Sequence, residues 1–327
     1  MKSPLLRLFI VFLFSVLSAI SVAQLQITPH PNVQALAQRL VGDGVSISNV
    51  SFTGNSLMAA YFNNLGNNNI SIDSGIVLTS GRAKTSGSNR GLDGNGSTVA
   101  SSALADNSWN LPGDAALAAA IGFPLSDLED ACVLEFDFMP LGDSIKFNYI
   151  FSSEEYTPLY VCEYNDAFAF FISGPGITGL KNIALVPNTA IPVSIFNVND
   201  VPGGTCPNNI SYYIDNVNNT RVNHDGHTTL LTAKEKVQPC QTYHLKLVIS
   251  DVGDDYYDSG VFLQARSLSS NVIKMTNLTQ TDPVTSLSYL VEGCQVGGFN
   301  VRRQRKDPLP LNVNLSYGGT AQNIIDI

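Results

Sequence analysis

An all-β chain is what this sequence predicts: a jelly-roll-like antiparallel β-sandwich with one or two short helices, followed by part of a second β-sandwich domain. Three observations predict it. Short apolar runs, some with strict period-two alternation, recur between clusters of turn residues. Only two segments carry a helical period. Charged residues make up just 14% of the 327 residues, against about 25% in an average soluble domain. Polarity therefore comes from Asn, Ser and Thr, with 26 Gly and 16 Pro, the residues that build turns and loops.

The strands are read from Gly75 to Gly81, Asp143 to Phe151, Ala167 to Ile172 and Tyr243 to Ile249. Ile145, Phe147, Tyr149 and Phe151 alternate with more polar neighbours, as one buried sheet face requires. Val33 to Val41 reads as a helix that places Val33, Leu36, Ala37, Leu40 and Val41 on one face, with Asn32 as N-cap and Gly42 as stop. Asp114 to Ile121 is a second short helix, between Gly113 and Gly122. Long turn-rich connections run from Asn63 to Asn69, Ser86 to Ser102 and Pro187 to Asn209; loops of that length are usually functional or stapled. A composition shift at Ser270 marks a domain boundary, giving residues 24–270 and 271–327.

Met1 to Ala23 has the form of a secretory signal: Lys2 and Arg7, an apolar stretch from Leu8 to Ile20, and Ser21-Val22-Ala23 before a cut at Gln24. Removing it leaves 16 basic against 27 acidic residues, a net charge of −11. No later segment approaches the apolar length of a transmembrane helix. Nucleic acid is an improbable partner for so acidic a chain, whose one basic run, Arg302, Arg303, Arg305 and Lys306, reads as a solvated strand edge.

Export makes disulfides the default state of the five cysteines. Four lie in the body of the chain and allow three pairings. Cys132–Cys240 is favoured because each residue opens an apolar run, as on neighbouring strands, and Cys162–Cys206 then clips two long loops. Cys294 is left odd.

No Gly-x-Ser-x-Gly elbow, Walker loop or His-Glu-x-x-His helix is found in the chain. In His224-Asp225-Gly226-His227, Asp-Gly marks a turn more simply than a metal site, since residues three apart on a strand point to opposite faces. The other acids are more informative. Glu154 and Glu155 follow one strand, Asn165 and Asp166 open another, and Asp251, Asp254, Asp255 and Asp258 crowd the end of a third. Hard cations take six to eight oxygen ligands, usually from irregular loops. A Ca2+ held by Glu155, Asp166 and members of the Asp251, Asp254 and Asp258 group suits that chemistry; the alternative is carboxylates that cap turns. A glycoside hydrolase built on Glu155 and an Asp of the 251–258 loop is a further reading. Trp109, Tyr156, Tyr160, Tyr164, Tyr256 and Tyr257 are placed to stack on a sugar or to pack as a rim.

An ordered set of phrases then becomes specific. Asp73 to Gly81, Asp130 to Phe138, Phe151-Ser-Ser-Glu-Glu-Tyr156, Asn165 to Ile177, Asn182 to Pro187, Tyr213-Ile-Asp-Asn216, Asp225 to Ala233 and Asp251 to Phe262 together resemble the choice-of-anchor L domain. The resemblance covers roughly residues 30–270 and implies a secreted bacterial surface protein attached by a C-terminal sorting signal, with no established activity. Glu154, Glu155, Asn165, Asp166, Asp251, Asp254 and Asp258 occupy its polar motif positions. After Asp-Gly, where the family often has Phe, this chain has His227. The tail from Val291 resembles the first half of a Calx-beta domain, in which Glu292 and Asp326 match acidic positions. The sequence thus leads to a non-catalytic, calcium-stabilised surface binding or adhesion module that faces an extracellular glycan or protein, within a longer chain. A structural spacer is the plainer alternative.

Overall fold

The computed structural model describes residues 25–29, 32–66, 70–86, 90–93, 105, 107–156, 160–201, 206–216 and 222–271, and beyond them the strand segments 273–278, 280–281, 288–289 and 298–303. The leader, Cys294, Glu292, Asp326, Arg305 and Lys306 lie outside the described residues.

Two antiparallel sheets face each other. Sheet I has nine strands: β1 (Gln26–Pro29), β3 (Ala59–Asn63), β4 (Ser74–Thr79), β13 (Ser259–Gln264), β6 (Ser144–Ser153), β10 (Gly226–Thr228) and β9 (Tyr213–Asp215) in spatial order, with β11 (Leu231–Lys236) and β14 (Ser269–Ser270) also paired to β6. Sheet II has five: β2 (Val45–Thr53), β5 (Leu128–Pro140), β12 (Tyr243–Val252), β7 (Ala167–Gly174) and β8 (Ile177–Asn182).

The alternation in β6 does what its period dictates. Ile145, Phe147, Tyr149 and Phe151 all enter the core between the sheets, while Ile150 joins a smaller cluster on the outer face of sheet I. β7 is apolar at successive positions because both its faces are covered. Phe168, Phe170 and Ile172 point inward, and Ala167, Ala169 and Phe171 meet the helix α2 (Ala115–Ile121) outside. Across the gap the rings interlock: Phe147 lies 4.9 Å from Phe170, Tyr149 4.9 Å from Phe170 and edge-on, and Phe151 5.0 Å from Phe168. Each buried aromatic stabilises the fold by roughly 1.5–3 kcal/mol through burial alone, and ring packing adds to that.

Both helices follow their capping chemistry. In α1 (Val33–Leu40) the Asn32 side chain accepts from the Ala35 N–H, and Leu36, Ala37 and Leu40 are buried. α2 starts at Asp114, whose carboxylate accepts from the N–H groups of Ala116 and Leu117, and it stops at Gly122 with φ 78°, the left-handed value that glycine takes without cost. Lys246 of β12 reaches Asp114 at 2.6 Å and ties the helix start to sheet II. In the described parts of the 187–209 connection the Asn199 side-chain amide donates to the carbonyls of Ile195, Phe196 and Pro207.

Cys162 and Cys206 form the expected clip between loops. The other expected bridge does not exist: Cys132 is a buried free thiol and Cys240 an exposed one. Their strands do pair, but antiparallel. Cys132 sits opposite Ile249, while Cys240 precedes Tyr243, which faces Phe138. At about 3.4 Å per residue the two openings lie at opposite ends of the sheet, far beyond the reach of a disulfide.

The sandwich ends where Ser270 pairs with Ile145 and the Asn271 side chain accepts from the Ser144 N–H. Gln26 of β1 enters at the same end, opposite Asn63, which in turn faces Ser74 at the start of β4. After Ser270, β15 (Ile273–Leu278) pairs with β18 (Gly298–Arg303), and β16 (Gln280–Thr281) with β17 (Ser288–Tyr289). Arg302 and Arg303 thus lie on a strand.

Burial pushes the Cys132 thiol up to about 12. Alkylation of the native protein, followed by peptide mass mapping, is therefore expected to label Cys240 and spare Cys132 until denaturant is added. Equal labelling of both in buffer would contradict the register of β5 and β12.

Candidate functional site: a carboxylate-rich end of the sandwich

The strand ends of β4, β6 and β13 in sheet I meet those of β5, β7 and β12 in sheet II at one end of the fold. Ser259 pairs with Ser153 and Gly260 with Thr79, while Ser250 pairs with Ala167 in the other sheet. The next residues outward are Glu154 and Asp258 on one side and Asp166 and Asp251 on the other, so the register alone stacks carboxylates in one layer.

Neighbours on a strand point to opposite faces, and this divides the acids. Glu155 turns inward to Asp166, whose own partner across the sheet is Asp251. Glu154 turns to the outer face of sheet I, toward Asp225. On that same face the His224 Nδ1 meets the Ser152 hydroxyl at 2.8 Å. Asp258 bears on both groups. The hydrogen bonding is uneven. Asp166 accepts from the Val252 N–H at 3.0 Å and the Ser259 hydroxyl at 2.7 Å. Asp258 accepts from the Asn107 backbone and side chain at 3.1 and 2.9 Å. Asp251, fully buried, receives no well-formed hydrogen bond at either oxygen among the described residues, and neither does Glu154 at Oε2. The Ser80 hydroxyl stands near enough to favour the Asp251 charge, and Asp251 shares a hydrogen bond with Asp166 that favours the Asp166 charge.

No ion pair to Lys, Arg or His joins Glu154, Glu155, Asp166 or Asp251 among the described residues. Burial, and then the neighbouring carboxylates, hold all four above the usual carboxylate range. Burial also pushes Asp225 up to about 6 and His224 down to about 3, so that the imidazole is neutral.

Of the seven acid and amide positions singled out in the sequence, Glu155, Asp166, Asp251 and Asp258 come together. Glu154 belongs to the opposite face. The Asn165 side chain accepts from the Phe196 N–H and pins the stapled loop. Asp254 caps its own turn through the Tyr256 N–H. Three participants escaped sequence reasoning. Asp130, at φ 50°, accepts from the N–H groups of Trp109 and Leu111 at 2.6 and 2.7 Å. Its signal was an acid at the head of an apolar run. Asp225 and His224 were read as part of a turn; in fact β10 begins at Gly226, and its pairing with Ser153 carries both against sheet I.

Glu155 is 1% exposed and Asp251 0%. As the described residues pack, no sugar-sized cleft lies between these two carboxyls, which a glycosidase pair requires. The aromatic candidates separate likewise. Tyr156 is core, 5.0 Å from Tyr213. Trp109 donates to the Gly81 carbonyl beneath the Arg82 guanidinium. Tyr160, Tyr164 and Tyr257 form a rim at the acidic end.

Fold and site define an all-β sandwich module whose polar chemistry is concentrated at one end. Residues 25–269 match the family model described as Choice-of-anchor L domain, and the chain belongs to that family. Membership marks a surface-associated protein. No curated protein and no solved structure matches the chain.

Two predictions follow from the buried acids. Carboxyls raised in the folded state contribute stability that is complete below about pH 4, declines above it, and is lost for each group once pH passes its folded value, first near 6 with Asp225. In chelator the melting temperature is expected to fall from about pH 5 to about pH 8. Asp251→Asn should flatten that fall and raise stability at the alkaline end by about 1–3 kcal/mol. A flat profile in the wild type would refute the buried charges. Separately, a Cβ at Gly81 would overlap the Asp258 carboxylate. Gly81→Ala should cost about 1–3 kcal/mol in urea unfolding, and Asp258→Ala should relieve most of that loss.

Proposed function

We propose that this chain is a non-catalytic, surface-displayed binding module whose end loops are held by a calcium ion taken up between Glu155, Asp166 and Asp251. The observation that carries the reading is Asp251: fully buried, opposite Asp166, with neither oxygen in a well-formed hydrogen bond among the described residues. Carboxylates out of water need a cation, a proton or hydrogen bonds. Protons suffice in acid; near neutral pH a hard divalent cation matches an all-oxygen set. Among the described residues no three His, Cys, Asp or Glu side chains already converge on one point at ligating distance. Uptake of the ion therefore draws these carboxyls together, with Asp258 within electrostatic reach. The leader read in residues 1–23 supports export, and millimolar extracellular Ca2+ is the setting for sites of modest affinity. The strands after Ser270 fit the start of the proposed Calx-beta-like domain.

Thermal melts near neutral pH, in Ca2+ and in chelator, test this. A hundredfold excess over Kd adds about 2.7 kcal/mol, or about 5–10 °C for a domain of this size. Asp166→Asn and Asp251→Asn should abolish the gain. Identical wild-type melts in Ca2+, Mg2+ and chelator would leave protonation as the means of neutralising the site and end the calcium reading.

A further inference from the structure

The loops that leave the acidic strand ends also carry aromatic rings that the core does not use. Tyr160 and Tyr164 flank Cys162 of the disulfide, and Tyr257 immediately precedes Asp258. The Tyr160 ring lies 5.9 Å from Tyr164 and 5.4 Å from Tyr257. Tyr149, Tyr156 and Tyr243 are fully buried, whereas these three stay half-exposed and their neighbour Tyr256 is 57% exposed.

The group is held in place. Tyr257 has φ 59°, a backbone conformation that a bulky residue keeps only where its surroundings enforce it, and such residues cluster at functional sites. Gly253, at φ 110°, lets the chain pass so close that a Cβ there would stand 3.1 Å from the Tyr164 ring. The Tyr164 hydroxyl is hydrogen-bonded to Asp254.

We propose that Tyr160, Tyr164 and Tyr257 form a stacking platform for a neutral polysaccharide chain. The proposal names the ligand class for the binding-module reading and rests on it, though not on the calcium ion. The C–H face of a pyranose is apolar and packs on an aromatic face, while its hydroxyls donate to carboxylates such as Asp254. Charge narrows the class. Asp254, Glu163 and Glu155 act on Tyr164, and Glu129 and Asp255 add to the negative charge about Asp254, so uronate, sulfate and phosphate groups are repelled. The rings pack on one another, Tyr160 edge-on to Tyr164 and tilted by 31° to Tyr257, so they offer one joined apolar surface. An open platform suits a chain better than a single sugar.

The test uses the full chain on an array of cello-, laminari-, xylo-, manno- and chito-oligosaccharides, with heparin and alginate as anionic probes and choline as a competitor; titration calorimetry then quantifies any hit. The expected result is retention of at least one neutral oligosaccharide, undisturbed by choline. Tyr160→Ala and Tyr164→Ala should weaken it about tenfold or more at unchanged melting temperature, and Tyr164→Phe should restore most of the affinity. Capture of only heparin or alginate, displacement by choline, no capture at all, or Tyr→Ala variants that bind as well as wild type would each overturn the platform. The two readings fail separately. Sugar binding that survives in a wild type indifferent to Ca2+ removes the ion and keeps the platform. A Ca2+-dependent melt without sugar capture removes the platform alone.

Discussion

Two sheets cannot close over a layer of carboxylates unless something answers the charge. That constraint governs the acidic end of this sandwich, because the pairing register leaves no freedom. Once Ser259 faces Ser153 and Ser250 faces Ala167, the following acids are committed to one small volume. The aromatic interlock of β6 with β7 fixes the sheets at that separation. Relief by splaying the ends would sacrifice the best-packed contacts in the core. The acids instead share hydrogen bonds from Ser259, Val252 and Asn107, and the unanswered remainder sits on Asp251.

Much of the architecture was legible beforehand, and for identifiable reasons. Ile145, Phe147, Tyr149 and Phe151 alternate because one face of β6 is the core and the other is partly covered by loops. Asn32, Asp114 and Gly122 mark helix ends because capping is local chemistry. The cysteines show where such reading stops. That β5 and β12 are neighbours was correct, but adjacency does not specify which ends meet, and antiparallel pairing separates Cys132 from Cys240 by most of a strand.

The candidate site was legible in the same measure. Glu155, Asp166 and Asp251 could be singled out because carboxylates beside apolar strands are conspicuous. Which face each occupies depends on the exact strand end, so Glu154 and Glu155 read alike while facing opposite sides. Asp130 and His224 were hidden by tertiary structure: one serves the backbone of a segment some twenty residues upstream, and the other meets Ser152 from far along the chain.

One consequence of the chain path concerns orientation. Gln26 enters and Ser270 leaves at the end of the sandwich opposite the acids. Both ends of the described sandwich thus lie at its base, with the clipped loops and the tyrosine rim at its crown. Tension or crowding transmitted along the rest of the polypeptide would load the base, where β14 and the Asn271 contact close the fold, and would leave the crown undistorted. A surface-associated module whose two ends share one base keeps its far face free of the strain that enters through them.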